Sequence, residues 1–297
     1  APASAQDALT LDQFRATETA TDGLTLSRPT DLGHLRGSVS YILDFARNPL
    51  VYESRLGDPG SRVAVIDNHL VGHLQAAIGL IDRVTVYAGL PVSLLMTGPG
   101  GPGLVPADGT LVGDPSVGMR ARLLGEPDDV VFLGAQLTAT LPLARVVAPS
   151  QRLTGDPGVV FLPRVTGELK FGGAGRLTTN VGARLRGPAS LGNIVLGPEL
   201  TLGLGGAITA VPEKLEVLLE TYAATSFEAF LSRERSPWEV LAGLRFRPHP
   251  DWSATVAGGP GLSSGYGTPA YRLLASIAWS PAAPPRALLA QTQKSPF

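Results

Sequence analysis

The sequence predicts an all-β fold, a transmembrane antiparallel up-and-down β-barrel of about twelve strands. Three observations predict it. Stretches of roughly 10–14 residues alternate apolar and polar side chains from end to end, the period-two mark of a strand with one apolar face. The gaps between them are by turns short and long, as in barrels that cross a membrane with tight turns on one side and loops on the other. Charged residues make up only 16% of the 297, against about 25% in a typical soluble domain. No run of about 18 apolar residues offers a spanning helix, and the best candidate, Val84 to Met96, is broken by Gly89 and Pro91.

Residues 1–33 are polar, with a Thr- and Ala-rich run from Ala16 to Asp22, and read as a periplasmic N-terminal arm able to tuck into the barrel mouth. Ala3-Ser4-Ala5 before Gln6 has the small-x-small form of a signal-peptidase site, the scar of an exported precursor. The barrel proper spans 34–280. Its first strand, 34–46, sets Leu35, Gly37, Val39, Tyr41, Leu43 and Phe45 against Arg36, Ser38, Ser40 and Asp44. Further strands fall at 66–80, 84–96, 114–124, 130–142, 158–171, 176–186, 193–209, 214–226, 237–247, 252–263 and 269–280. Tight connections at 81–83, 125–129, 172–175, 210–213 and 248–251 alternate with longer ones near 47–65, 97–113, 143–157, 187–192, 227–236 and 264–268. With an even strand number, both termini lie on the tight-turn side, expected to be the periplasm. Residues 281–297, with Pro-Ala-Ala-Pro-Pro, read as a linker or tail.

Aromatic residues favour the two membrane–water interfaces. Phe171, Phe246, Trp252 and Trp279 fall on the apolar phase at the tight-turn ends of strands, and Tyr41, Phe45 and Trp238 at or towards the other end. A net charge of −1 gives no basic excess for nucleic acid, and the absence of cysteine excludes a disulfide scaffold and thiolate zinc sites.

The polar phase carries the candidate lumen residues: Arg36, Asp44, Arg120, Arg122, Arg164, Glu168, Lys170, Arg184, Arg186, Glu216, Glu220, Glu239, Arg245 and Arg272. They form either a pore that selects small, anionic solutes, or a plugged lumen in which Arg and Glu satisfy each other's charge. No enzyme is expected. His69 and His73 share a strand face about 13 Å apart at 3.3 Å per residue, too far for one metal, so no metal or cofactor is expected. A lipid-hydrolysing Ser/His couple would have to face lipid, whereas both histidines sit on the lumen phase. Gly98-Pro99-Gly100-Gly101-Pro102-Gly103 lacks the Lys-Ser/Thr ending of a phosphate loop and reads as an outer loop.

Several segments resemble a known family. These are Leu32-Gly33-His34, the run Asp44 to Val51, Gly79 to Arg83, Gly113-Asp114, Gly118 to Leu124, Ser236 to Glu239, Gly259 to Leu262 and Gly265 to Pro269. Together they resemble the N-terminal barrel domain of OmpA-family outer-membrane proteins of myxobacteria, which include the barrel partner of an outer-membrane-exchange system. The resemblance implies an outer-membrane anchor or interaction scaffold, with protein partners met through outer loops or periplasmic termini. It also implies a peptidoglycan-binding domain attached where the tail lies. The alternative is a porin-like channel.

Overall fold

The computed structural model describes residues 9–53, 62–101, 105–106, 109–126, 128–151, 153–191 and 194–281. The small-x-small site at Ala3 to Ala5 and the tail beyond Pro281 lie outside these, as does part of the glycine-rich loop. The strands are β1 (Gly37–Glu53), β2 (Arg62–Ile81), β3 (Val84–Thr97), β4 (Leu111–Val112), β5 (Ser116–Leu124), β6 (Val131–Thr140), β7 (Val160–Phe171), β8 (Gly175–Arg184), β9 (Ala189–Leu191), β10 (Ile194–Leu196), β11 (Glu199–Val211), β12 (Leu215–Ser226), β13 (Trp238–His249), β14 (Trp252–Pro260) and β15 (Tyr271–Trp279). Setting aside the short β4, β9 and β10, twelve long strands pair with their sequence neighbours, all antiparallel. Pairing of β1 with β15, Val39 opposite Trp279 through Arg47 opposite Tyr271, closes the cylinder.

The two phases of the alternation separate as the pleat requires. Leu74, Ile78, Val117, Leu137, Leu177, Leu204, Leu219, Leu244 and Ile277 face outward, while Ser38, Gln75, Thr85, Thr166 and Asn180 are buried inside. Trp252 and Trp279 are cross-strand partners beside the tight turn at Asp251, and Phe171 and Phe246 share that end. Trp238 starts β13 at the long-loop end, and Phe45 meets Tyr271 there at 6.2 Å. Tyr41 does not join them. β1 continues to Glu53, beyond the expected limit, which leaves Tyr41 opposite Ile277, two residues from Trp279, in the tight-turn half.

Two long connections are shorter than expected because strands use them. The β1–β2 hairpin runs on to Glu53 and Arg62, and β9 pairs with β10 over the long-loop rim. One strand is broken instead. Pro91 has no N–H to give, so the ladder between β3 and β5 stops at Gly89 and resumes as β4, with the Gly113 N–H donating to the Pro91 carbonyl at 2.8 Å.

The largest departure is the N-terminal arm. Residues 9–33 do not hang beneath the barrel; they thread it from the tight-turn end to the long-loop end. Leu32 packs with Ala77 and Tyr87, Phe14 and Leu24 with Ile42, Leu218 and Leu241, and Leu9 and Leu11 with Ile66, Met96, Leu153 and Tyr266. A twelve-stranded lumen is wider than side chains alone fill. Leu9, Leu11, Phe14, Leu24, Leu26 and Leu32 also need cover from water, and the lumen supplies it.

Candidate functional site

The lumen and its plug form the candidate site. Nearly every expected lumen residue points inward: Asp44, Arg120, Arg122, Glu168, Arg184, Arg186, Glu216, Glu220, Glu239, Arg245 and Arg272 are buried. Arg164 and Lys170 are half-buried, Lys170 with its ammonium 4.2 Å from the centre of the Phe132 ring. Arg36 lies at the tight-turn mouth, where it donates to the Pro281 carbonyl.

What the alternation did not show is that many of the wall's charges pair with the plug. Between residues 9 and 33 the chain carries Asp12, Glu18, Asp22 and Asp31 against Arg15 and Arg28. Asp31 lies 2.7 Å from Arg122, Asp22 2.8 Å from Arg120, and Asp12 3.0 Å from Arg272. Glu18 accepts from Gln136 at 2.7 Å and lies 3.8 Å from Arg120 and 3.9 Å from Arg164. In the opposite sense, Arg28 grips Glu168 with both Nε and Nη2. Arg245 donates to the carbonyls of Asp22 and Gly23 at 2.6 and 3.1 Å. The Asn180 side chain caps Ser27 from both directions, donating to its carbonyl at 2.8 Å and accepting its N–H at 3.0 Å.

Wall-to-wall pairs hold the rest. Glu216 lies between Arg176 and Arg245, and Glu199 between Arg184 and Arg186 at 3.2 and 3.0 Å. Buried ions of this kind stay charged only because each meets its opposite.

At the long-loop end the described residues of the segment 143–157, which includes the one-turn helix α1 (Leu143–Val147), bond to the barrel at Asp114 and to the plug at Thr10. Asp114 accepts the backbone N–H groups of Ala144 and Asp156, and burial pushes its carboxyl up despite them. Burial would raise Asp156 as well, but Arg186, Arg184 and the Thr10 hydroxyl outweigh it and hold that carboxyl down. Asp156 thereby joins Arg186 of the wall, at 3.1 Å, to Thr10 of the plug, at 2.8 Å. Beside the plug a cavity of about 120 Å³ remains at the ladder break, lined by Pro91, Gly113, Asp114, His73 and Arg164. Its volume and polar lining leave room for water.

Sequence reasoning left out Asp12, Glu18, Asp22, Arg28 and Asp31, as well as Asp114 and Asp156. The apolar residues spaced along the polar arm were the available signal. A segment that exposes Phe14, Leu24 and Leu26 in water needs a partner.

No family model matches the chain, and no curated protein is similar to it in sequence. Solved structures are similar in fold. An outer membrane channel from Pseudomonas putida has a TM-score of 0.60 at 13% identity, over 85% of this chain and 97% of that one. The NanC porin has a TM-score of 0.51 at 7% identity, over 80% and 97%. The chain has the fold of bacterial outer-membrane barrels.

Proposed function

We propose that this protein is an outer-membrane channel for small anionic solutes, held shut by its own N-terminal segment. The observation that carries the reading is the match of an acidic plug to a basic wall, Asp31 on Arg122, Asp22 on Arg120 and Asp12 on Arg272. The plug does for these arginines what a passing anion would do, and its withdrawal leaves an arginine-lined path. Likeness in fold to outer-membrane channels supports the same reading. In this reading the tight turns and both ends of the barrel face the periplasm, and the protein has no enzymatic role.

The absence of cysteine makes the test direct. A Ser27→Cys/Asn180→Cys pair joins plug to wall where the two residues already share hydrogen bonds. In planar bilayers the reduced protein should show anion-selective current steps, and the oxidised protein none. A bilayer as silent after reduction as before would overturn the channel.

The second reading is the OmpA-like anchor, favoured by the number of buried ion pairs that hold the plug. In that case the plug never leaves, and the outer loops or termini meet protein partners. Silent bilayers in both redox states are its expected outcome.

A further inference from the structure

Three groups meet where the plug crosses the wall between β1 and β2. They are Asp12 of the plug, Asp44 of β1 and His73 of β2, all buried, with candidate ligand atoms within 4.8 Å of one another. Their side chains are 9%, 1% and 8% exposed. His73 Nε2 is 4.0 Å from one oxygen of Asp12 and 3.8 Å from one of Asp44, too far for a hydrogen bond to either. Asp12 Oδ2, Asp44 Oδ1 and His73 Nε2 are buried without a hydrogen-bond partner. Left so, each is a desolvated polar atom with nothing to compensate the lost water.

Charge is unbalanced at the same place. Asp12, Asp44 and Glu239 converge on a single guanidinium, that of Arg272. Arg272 takes Asp12 by Oδ1 and Asp44 by Oδ2, and the oxygens nearest the imidazole are Asp12 Oδ2 and that same Asp44 Oδ2. His69, the neighbouring titratable group, bonds Ser93 instead at 3.1 Å. Phe14 stands edge-on to the His73 ring at 5.5 Å and under Arg272 at 5.3 Å, and so closes the pocket on the plug side.

We propose that Asp12, Asp44 and His73 bind one divalent transition-metal ion, of the zinc class, which pins the plug to the barrel wall. One imidazole nitrogen and two carboxylate oxygens suit zinc at bond lengths of about 2.0–2.2 Å. Ligand atoms of a tetrahedral ion with these bonds lie about 3.4 Å apart, so a pair at the 4.8 Å limit must close by about 0.7 Å on each side, and the 3.8 and 4.0 Å pairs by less. The ion supplies positive charge that one arginine cannot, and gives Asp12 Oδ2 and His73 Nε2 the partner they lack. His69 is not part of the set, which is drawn from three separate segments. Sequence spacing could not show it: Asp12 reaches the other two only through the plug.

The test uses the full chain refolded in detergent, stripped with chelator and titrated with Zn²⁺ at pH 7.5 by calorimetry, with Co²⁺ as a visible-absorption probe. One ion per chain is expected, with affinity reduced at least a hundredfold in His73→Asn and in Asp12→Asn. Both variants should still show heat-modifiable migration on a detergent gel, and His249→Asn, at an exposed turn, should bind as the parent does. No zinc or cobalt bound by the folded parent would overturn the site, and so would equal binding by His73→Asn. The consequence for gating rests on the channel reading: chelator should increase current steps and zinc suppress them. Loss of that response with binding intact counts against the channel alone, since binding is measured without current.

Discussion

Glu220 of the wall holds Thr25 of the plug twice, its Oε2 accepting the Thr25 backbone N–H at 2.7 Å and the hydroxyl at 3.1 Å. The same carboxylate takes the N–H groups of Leu24 and Leu26 at 2.8 and 3.1 Å. The reversal of the plug near Gly23 is thus wrapped around one side chain, and a Cβ on Gly23 would lie 1.8 Å from Glu220 Oε1. Glu220→Ala orphans these donors at roughly 1–3 kcal/mol each. The barrel should survive while the plug loosens. Amide exchange at residues 24–26 should quicken by at least tenfold, and exchange as slow as in the parent would show that the contact is not what anchors the turn.

Arg272 is fully buried and lies between Asp44, Glu239 and Asp12. Its removal leaves carboxylates facing one another in a dry interior, which for a buried pair costs roughly 3–5 kcal/mol. Arg272→Met should therefore lower the temperature at which the barrel unfolds on a detergent gel by many degrees. Arg272→Lys should recover little, because a single ammonium cannot make the separate Nε and Nη1 contacts. Full recovery by lysine would mean that charge alone matters at this position.

At the long-loop end, Asp156 has a depressed carboxyl pKa through Arg186 and Arg184, against the effect of its burial. A depressed acid stabilises the fold at pH above its ordinary value of 3.8, and that contribution fades as pH falls below it towards the folded value. Acid should then release the 143–157 segment from Thr10 before the barrel opens. Proteolysis within that segment, followed from pH 6 down to pH 2, should stay low above the ordinary carboxylate value of 3.8 and rise steeply below it in the parent. In Asp156→Asn it should already be high at pH 6 and change little.

The wall was legible because a strand in a membrane has one physical rule, apolar outward and polar inward, written at every second residue. Leu74 and Gln75, or Leu244 and Arg245, announce their sides without any partner being known. The plug obeys no period. Asp22 is paired with Arg120 of the wall, and nothing in the run Ala16 to Asp22 encodes that contact. β1 is longer than the alternation predicts for a similar reason. Arg47, Asn48 and Pro49 look like a turn, but irregular register past Arg47, with Asn48 at φ 51°, carries the strand on to Glu53.

Where the plug becomes β1, the chain passes so close to β2 that a Cβ on Gly79 would lie 1.9 Å from the Gly33 carbonyl oxygen. Gly79 also closes this junction by hydrogen bonds, accepting from the Leu35 N–H at 2.8 Å and donating to the Arg36 carbonyl at 2.9 Å. Gly33 itself has φ 83°, a left-handed backbone open to glycine at no steric cost. Gly79→Ala must therefore push the foot of the plug away from the wall, at roughly 1–3 kcal/mol for an overpacked site. Protease should cut the 18–33 region faster in this variant while the barrel keeps its heat-modifiable migration. Gly206 provides the comparison, because a Cβ there meets nothing nearer than the Arg176 carbonyl oxygen at 3.4 Å. Gly206→Ala should leave cleavage unchanged. If the two variants are cut alike, the junction is not the hinge on which the plug turns.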